Sequence, residues 1–135
     1  MARHERYILD TNFFISAFKE KPQESNTFLN FCKMAGITIT TTQKVINEIN
    51  WYLRRRIEKE IELVQISKPR FSEFKKTADI LLKTNQEADL SVLYAAVSNG
   101  GKIVSSDMAL LESAEELNLA SLSCSAFLLH IIENT

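Results

Sequence analysis

The chain has 135 residues, 45% of them hydrophobic and 24% charged, with a formal net charge of −1. That is the size of one domain, taken here as 1–135, and the composition of an ordinary soluble globular protein that buries about 68–70% of its unfolded surface. The near-zero charge excludes a global positive field for nucleic acid or acidic membrane, so a nucleic-acid partner has to be held by local patches or through metal ions.

With only three glycines and two prolines, long flexible linkers are not expected. No apolar run approaches the roughly 20 residues of a membrane span. The residues before Tyr7 lack the apolar core of a signal peptide. Cys32 and Cys124, 92 positions apart, form neither a disulfide framework nor a zinc knuckle. They read as buried free thiols in a reducing, cytoplasmic setting.

In chain order, Tyr7-Ile8-Leu9 reads as a short inner strand of a parallel sheet, with Asp10 at its end. Thr11 and Asn12 follow as turn and cap residues, and Phe13, Phe14, Ile15 and Phe18 give a first helix its apolar face. Lys19 to Ser25 breaks the pattern. Ser25 or Asn26 then caps a helix with Phe28, Leu29, Phe31 and Cys32 inward, stopped at Gly36. The β-branched run Ile37 to Thr41 is a second strand.

Thr41 or Thr42 caps a long helical pattern through Val45, Ile46, Ile49, Tyr52 and Leu53, with Glu48 about two turns in, continuing through the charged stretch 54–60. Leu63 to Ile66 reads as a third, edge strand or as the end of that helix. Lys68-Pro69-Arg70 reads as a breaker, followed by an amphipathic helix from Ser72 with Phe74, Ala78, Leu81 and Leu82 inside. After a turn at 84–87 comes a largely buried helix from Ala88 to Val97, ended by Asn99-Gly100-Gly101. Lys102 to Asp107 repeats the opening grammar of strand, small polar residues and carboxylate. Met108 to Leu117 is a helix, 120–123 a last strand and Ser125 to Ile132 a final helix. Strands alternating with helices predict an α/β fold with a parallel sheet and helices on both faces.

Four acids occupy special places. Asp10 and Asp107 follow strands, Asp89 lies in the first turn of a helix, and Glu48 is on a helix that follows a strand. Right-handed crossovers bring strand ends, and the helix starts after them, to one edge of such a sheet. Carboxylates gathered there raise one another's pKa unless a cation intervenes. Hard oxygen ligands without Cys or His select Mg²⁺ or Mn²⁺. Such a site suits phosphodiester hydrolysis, since the ion activates and aligns water and steadies charge on the phosphate.

Ile8-Leu9-Asp10-Thr11-Asn12, the mid-chain helical Glu48, Glu87-Ala88-Asp89-Leu90-Ser91-Val92-Leu93 and Val104-Ser105-Ser106-Asp107 together resemble the PIN-domain family, in order and spacing over nearly the whole chain. The likeness is to a compact, stand-alone prokaryotic or archaeal member. The resemblance implies a three-layer α/β/α sandwich around a central parallel sheet of four to five strands. It also implies a Mg²⁺- or Mn²⁺-dependent ribonuclease acting on single-stranded or structured RNA. Toxins of type II toxin–antitoxin pairs and ribosomal-RNA processing nucleases belong to that family. Residue by residue, Asp10, Glu48, Asp89 and Asp107 match its four acids as metal-holding, catalytic residues. Ser105 matches the small hydroxyl two places before the last acid, and Asn12 the polar residue two after the first; both support from behind. Glu87 is an extra acid that either contributes or caps its helix. A homodimer and a small antitoxin partner are further expectations of the resemblance.

Each feature also has a plain structural reading. Asp10, Asp89 and Asp107 all sit at helix starts, where a carboxylate caps free N–H groups and meets the positive dipole end. Glu48 reads equally as a solvated helix residue. Arg54, Arg55 and Arg56, flanked by Trp51 and Tyr52, form either a track for RNA phosphates with an aromatic stacked on a base, or a solvated face paired with Glu58 and Glu60. The second reading carries more weight. No phosphate-binding glycine loop, dinucleotide fingerprint or nucleophile elbow is present. The competing function is a catalytically silent scaffold of the same fold that binds RNA or protein. A receiver-like phospho-acceptor is disfavoured, because a second central strand-end Asp and a later Lys are not in the expected order.

Overall fold

A computed structural model describes residues 5–15, 22–49, 54–55, 58–59, 61–82, 84 and 86–133. Among these, the strands β1 (Glu5–Leu9), β2 (Ile37–Thr42), β3 (Glu62–Val64), β4 (Lys102–Val104) and β5 (Ser121–Leu122) form one sheet in the order β3-β2-β1-β4-β5. Every pairing is parallel. The helices are α1 (Thr11–Phe14), α2 (Pro22–Met34), α3 (Gln43–Asn47), α4 (Lys68–Leu81), α5 (Glu87–Asn99), α6 (Met108–Glu116) and α7 (Cys124–Glu133). The arrangement is a three-layer α/β/α sandwich with a central parallel sheet.

β1 is the central strand, with Ile8 opposite Thr40 on one side and Ile103 on the other. Tyr7, Ile8 and Leu9 are fully buried, as a strand covered on both faces requires. The chain winds outward from β1 through β2 to β3, then returns to lay β4 and β5 on the opposite side. The winding therefore reverses between β1 and β4, which leaves a crevice beyond their carboxyl ends.

α5 packs on the middle of the sheet and on α3. Its apolar residues Leu90, Val92, Leu93 and Ala95 are buried. A chain of buried hydroxyls pins its first turn. The Val45 amide donates to Thr42 Oγ1 at 3.3 Å, Thr42 and Ser91 hydroxyls meet at 2.6 Å, and Ser91 Oγ donates to the Ala88 carbonyl at 2.6 Å. With the Ser91 hydrogen committed to Ala88, Thr42 is the donor to Ser91. The relay fastens the start of α3 to the start of α5, and so sets Glu48 relative to Asp89. Thr42→Val is expected to destabilise the fold by about 2 kcal/mol, the cost of a lost helix cap plus a buried hydroxyl left without its donor. Urea unfolding reads this directly; an unchanged midpoint would remove the relay from the account.

On another flank, Phe13 meets Phe28 and Phe127 with ring centroids 5.4 and 5.8 Å away, and Phe127 lies 4.7 Å from Tyr7. This aromatic knot seats α1 directly after β1. Cys32 and Cys124 are free thiols, and burial pushes Cys32 up to about 12. No helix among the described residues is long and apolar enough to cross a membrane.

Several boundaries differ from the sequence expectation. Lys68-Pro69-Arg70 is the first turn of α4 rather than a breaker, and α2 starts at Pro22. Proline's fixed φ and missing N–H suit a helix start. Leu63 belongs to a true strand, parallel to β2. The single long helix expected after Thr42 is interrupted: α3 ends at Asn47, residues 48–49 turn, and 54–55 and 58–59 are again helical. Arg54 occupies the open end of α3. The Arg54 guanidinium donates to the carbonyls of Ile46 at 3.1 Å, Asn47 at 3.1 Å and Ile49 at 3.2 Å. These bonds occupy acceptors that a continuing helix would pair with its own amides.

Candidate active site

Asp10 is the residue after β1 and is 2% exposed. It caps α1, its Oδ1 accepting from the Phe13 amide at 3.0 Å. Its Oδ2 accepts from the hydroxyl of Ser105, the residue after β4. The same Ser105 Oγ accepts from the Asp107 amide at 2.9 Å. Asp107 in turn caps α6, its Oδ1 accepting from Ala109 at 2.8 Å and Leu110 at 3.3 Å. One serine hydroxyl thus ties together the ends of β1 and β4 at the point where the winding reverses.

Asp89 lies in the first turn of α5, but Gln86 is the cap position there. The Asp89 Oδ2 accepts from the Thr84 hydroxyl at 3.0 Å. Glu48 is the exposed residue that closes α3, and its Oε1 accepts from the Thr11 hydroxyl at 2.8 Å. Thr11 is adjacent to Asp10, so this bond brings Glu48 to the turn that carries Asp10. Capping therefore accounts for one oxygen each of Asp10 and Asp107, and leaves Asp89 and Glu48 to be explained otherwise.

The charges couple these groups. Burial raises the Asp10 pKa, and the Asp107 charge adds to it, against the bonds from Ser105 and Phe13. Asp89 is pushed up to about 6, first by burial and then by the charges of Asp107, Asp10 and Glu48, against the bond from Thr84. Asp89 thus feels the charges of the other three acids, and Asp10 feels that of Asp107. That is the electrostatic condition a cation relieves. The donor set, carboxylates and hydroxyls without His or Cys, fits a hard divalent ion. As the side chains lie, no three acidic, histidine or cysteine residues among those described are gathered tightly enough to cage a metal.

The sequence reading gave Thr11 and Thr84 only as turn residues, not as partners of Glu48 and Asp89. Ser105 follows β4 and bonds Asp10, while Asn12 is exposed on the first turn of α1. Glu87 is turned to Lys44 and Lys75, which hold it down at about 2. Arg54 is engaged by the α3 carbonyls, Arg55 is exposed, and Arg56 and Trp51 lie outside the described residues.

The family profile described as PIN domain matches residues 8–108. The chain belongs to the PIN-domain family. PIN domains are in general nucleases and in general use divalent metal ions. No curated protein matches this PIN domain. Among solved structures it is similar to PAE2754 from Pyrobaculum aerophilum, at 13% identity and a TM-score of 0.67, covering 97% of this chain and 99% of that one. It is also similar to VapBC2 from Rickettsia felis, solved bound to a DNA fragment from their promoter, at 16% identity and a TM-score of 0.60, covering 87% and 98%. FitAcB from Neisseria gonorrhoeae aligns at 14% identity and a TM-score of 0.53, covering 86% and 96%. At these identities the likeness is one of fold.

Proposed function

We propose that this chain is a single-domain, metal-dependent endoribonuclease that hydrolyses RNA phosphodiester bonds. The observation that carries the reading is the tie of Asp10 to Asp107 through Ser105 at the sheet's reversal point, with Asp89 close enough to feel the charges of Asp10, Asp107 and Glu48. These four residues would hold one or two Mg²⁺ or Mn²⁺ ions. When bound, such an ion supplies an activated water and stabilises charge on the phosphate. The protein's part is to orient. Ser105 fixes the Asp10 carboxylate and the Asp107 backbone at once, Thr84 holds Asp89, and Thr11 holds Glu48. Asn12, exposed on the first turn of α1, would orient a ligand of the same ion.

Ser105→Ala is expected to weaken Mn²⁺ affinity by about 10- to 100-fold, the usual cost of removing a group that orients a metal ligand. Calorimetric titration reads this, and unchanged affinity would show that Ser105 only packs.

Of the two roles, toxin and housekeeping RNA processing, the toxin role is the first to test, since VapBC2 and FitAcB share this fold. In that role the protein acts in the cytoplasm, pairs as a homodimer, and is silenced by a small antitoxin that plugs the acidic crevice with a basic side chain. The deciding experiment incubates mixed-sequence RNA with the protein and Mn²⁺, with a chelated control. Ion-dependent cutting supports the nuclease. Intact RNA favours a second reading, a non-cutting scaffold, which the ungathered carboxylates speak for.

A further inference from the structure

Beside the acid crevice, a groove of about 520 Å³ lies between α3, the edge strand β3 and α4. Three lysines line it, Lys44 from α3 and Lys68 and Lys75 from α4. Lys44 and Lys75 converge on one carboxylate. Lys44 Nζ donates to Glu87 Oε2 at 2.8 Å, and Lys75 Nζ donates to Oε1. Both ammonium groups also sit over the buried Phe71 ring, 5.4 and 5.8 Å from its centroid. The ring fixes the position of the two charges, so they do not depend on Glu87 alone to stay there. Glu87 itself is half exposed and is held ionised by the two lysines.

A second hollow, of about 470 Å³, shares Lys44, Asn47 and Glu87 with the groove and reaches Glu48. The lysine groove therefore opens toward the acid crevice. In a chain of net charge −1, three lysines against one glutamate make a local positive surface. Two ammonium groups sharing one solvent-facing carboxylate form an anion site with Glu87 as its resident occupant. The amides of Gln43, Asn47 and Gln65 along the same walls supply neutral hydrogen-bonding groups.

We propose that this groove binds the sugar–phosphate backbone of a single nucleic-acid strand. Its phosphates replace Glu87 on Lys44 and Lys75, and the strand runs past Asn47 into the acid crevice. The crevice repels phosphate, so affinity for the strand has to come from cations beside it, and these are the lysines the fold places there. The proposal rests on the nuclease reading for what happens at the crevice, but binding itself needs no metal.

The test is fluorescence anisotropy of a short labelled oligouridylate with the full chain in a chelating buffer, where nothing is cut. The Lys44→Gln, Lys68→Gln, Lys75→Gln triple variant is expected to bind about tenfold more weakly, and the slope of log affinity against log salt to flatten by about 2, at roughly 0.7 per single-strand phosphate contact. Glu87→Gln is expected to bind several-fold more tightly, because the competing carboxylate is gone. Lys102→Gln, at the start of β4 on the opposite edge of the sheet, is expected to bind as wild type. Unchanged melting temperatures show that the variants fold.

The proposal is overturned if the triple variant binds the RNA as wild type does. It is also overturned if polyglutamate competes for the same lysines more tightly than RNA, which would make the groove a docking site for an acidic protein segment. Lysine-dependent binding without cutting on added Mn²⁺ would sink the nuclease reading alone. Cutting with lysine-independent binding would sink the groove alone.

Discussion

In the Asp10→Asn protein, Mn²⁺ binding is expected to disappear from a calorimetric titration, and metal-dependent RNA cleavage to fall by about a thousandfold. A divalent ion contributes several kcal/mol to such a reaction, and each 1.4 kcal/mol or so is a factor of about ten. The substitution isolates charge from shape. The asparagine carbonyl still accepts the Phe13 amide, and its NH₂ group meets Ser105 Oγ in place of the present bond. The residue is 2% exposed, so retention of the fold has to be checked by thermal melting alongside the titration. Undiminished Mn²⁺ binding in a well-folded Asp10→Asn protein would move the site away from the end of β1 altogether.

The second large effect is one of opposite sign on stability and function. Asp89→Asn is expected to remove metal binding while making the metal-free protein more stable at pH 7. Asp89 is raised from 3.8 to about 6 in the folded chain. The native state therefore binds more protons than the unfolded chain between those values, and stability falls as pH rises through that window. Above it the full penalty for a charged Asp89 is present; below 3.8 it is absent. Because the group is only partly buried, solvent screening reduces the penalty to about 1 kcal/mol. Urea unfolding at pH 7 and pH 5 checks this. Without metal, the wild type gains on the variant as the pH is lowered. With saturating Mn²⁺ at pH 7 the ranking reverses, because only the wild type is stabilised by binding. A variant less stable than wild type at pH 7 without metal would contradict the coupling inferred for the four acids.

The central strand was legible because both of its faces are covered, so Tyr7-Ile8-Leu9 has to be continuously apolar. The order of elements followed from the alternation of strands and helices, and the convergence of Asp10 and Asp107 from the rule that strand ends meet at one edge. What stayed hidden depends on partners that local pattern does not carry. α3 stops at Asn47, where Arg54, seven positions on, reaches back to cap its carbonyls, whereas the apolar spacing of Val45, Ile49 and Tyr52 reads straight through. Pro69 was read as an interruption because a proline breaks a helix interior and starts a helix equally well; only position decides. Thr11 and Thr84 were invisible as positioning groups, since one binds across 37 positions and hydroxyls are common in turns. Glu87 and Asp89 are two residues apart on one helix, yet one faces lysines and the other faces acids. That division follows from helical geometry, once the helix is placed.

The strand order has a consequence in time. Ser105 and Asp10 are 95 positions apart and meet only when β4 settles beside β1. A ribosome making about 5–20 residues per second needs on the order of 5–20 s to travel between them. During that interval the strands already made, β1, β2 and β3, form at most three of the sheet's five strands, and Asp10 has neither Ser105 nor Asp107 near it. The acidic crevice is therefore absent from the nascent chain and comes into being at a late closing step. If the proposed nuclease reading holds, that interval is the time available for an inhibitor to meet the chain before its site exists.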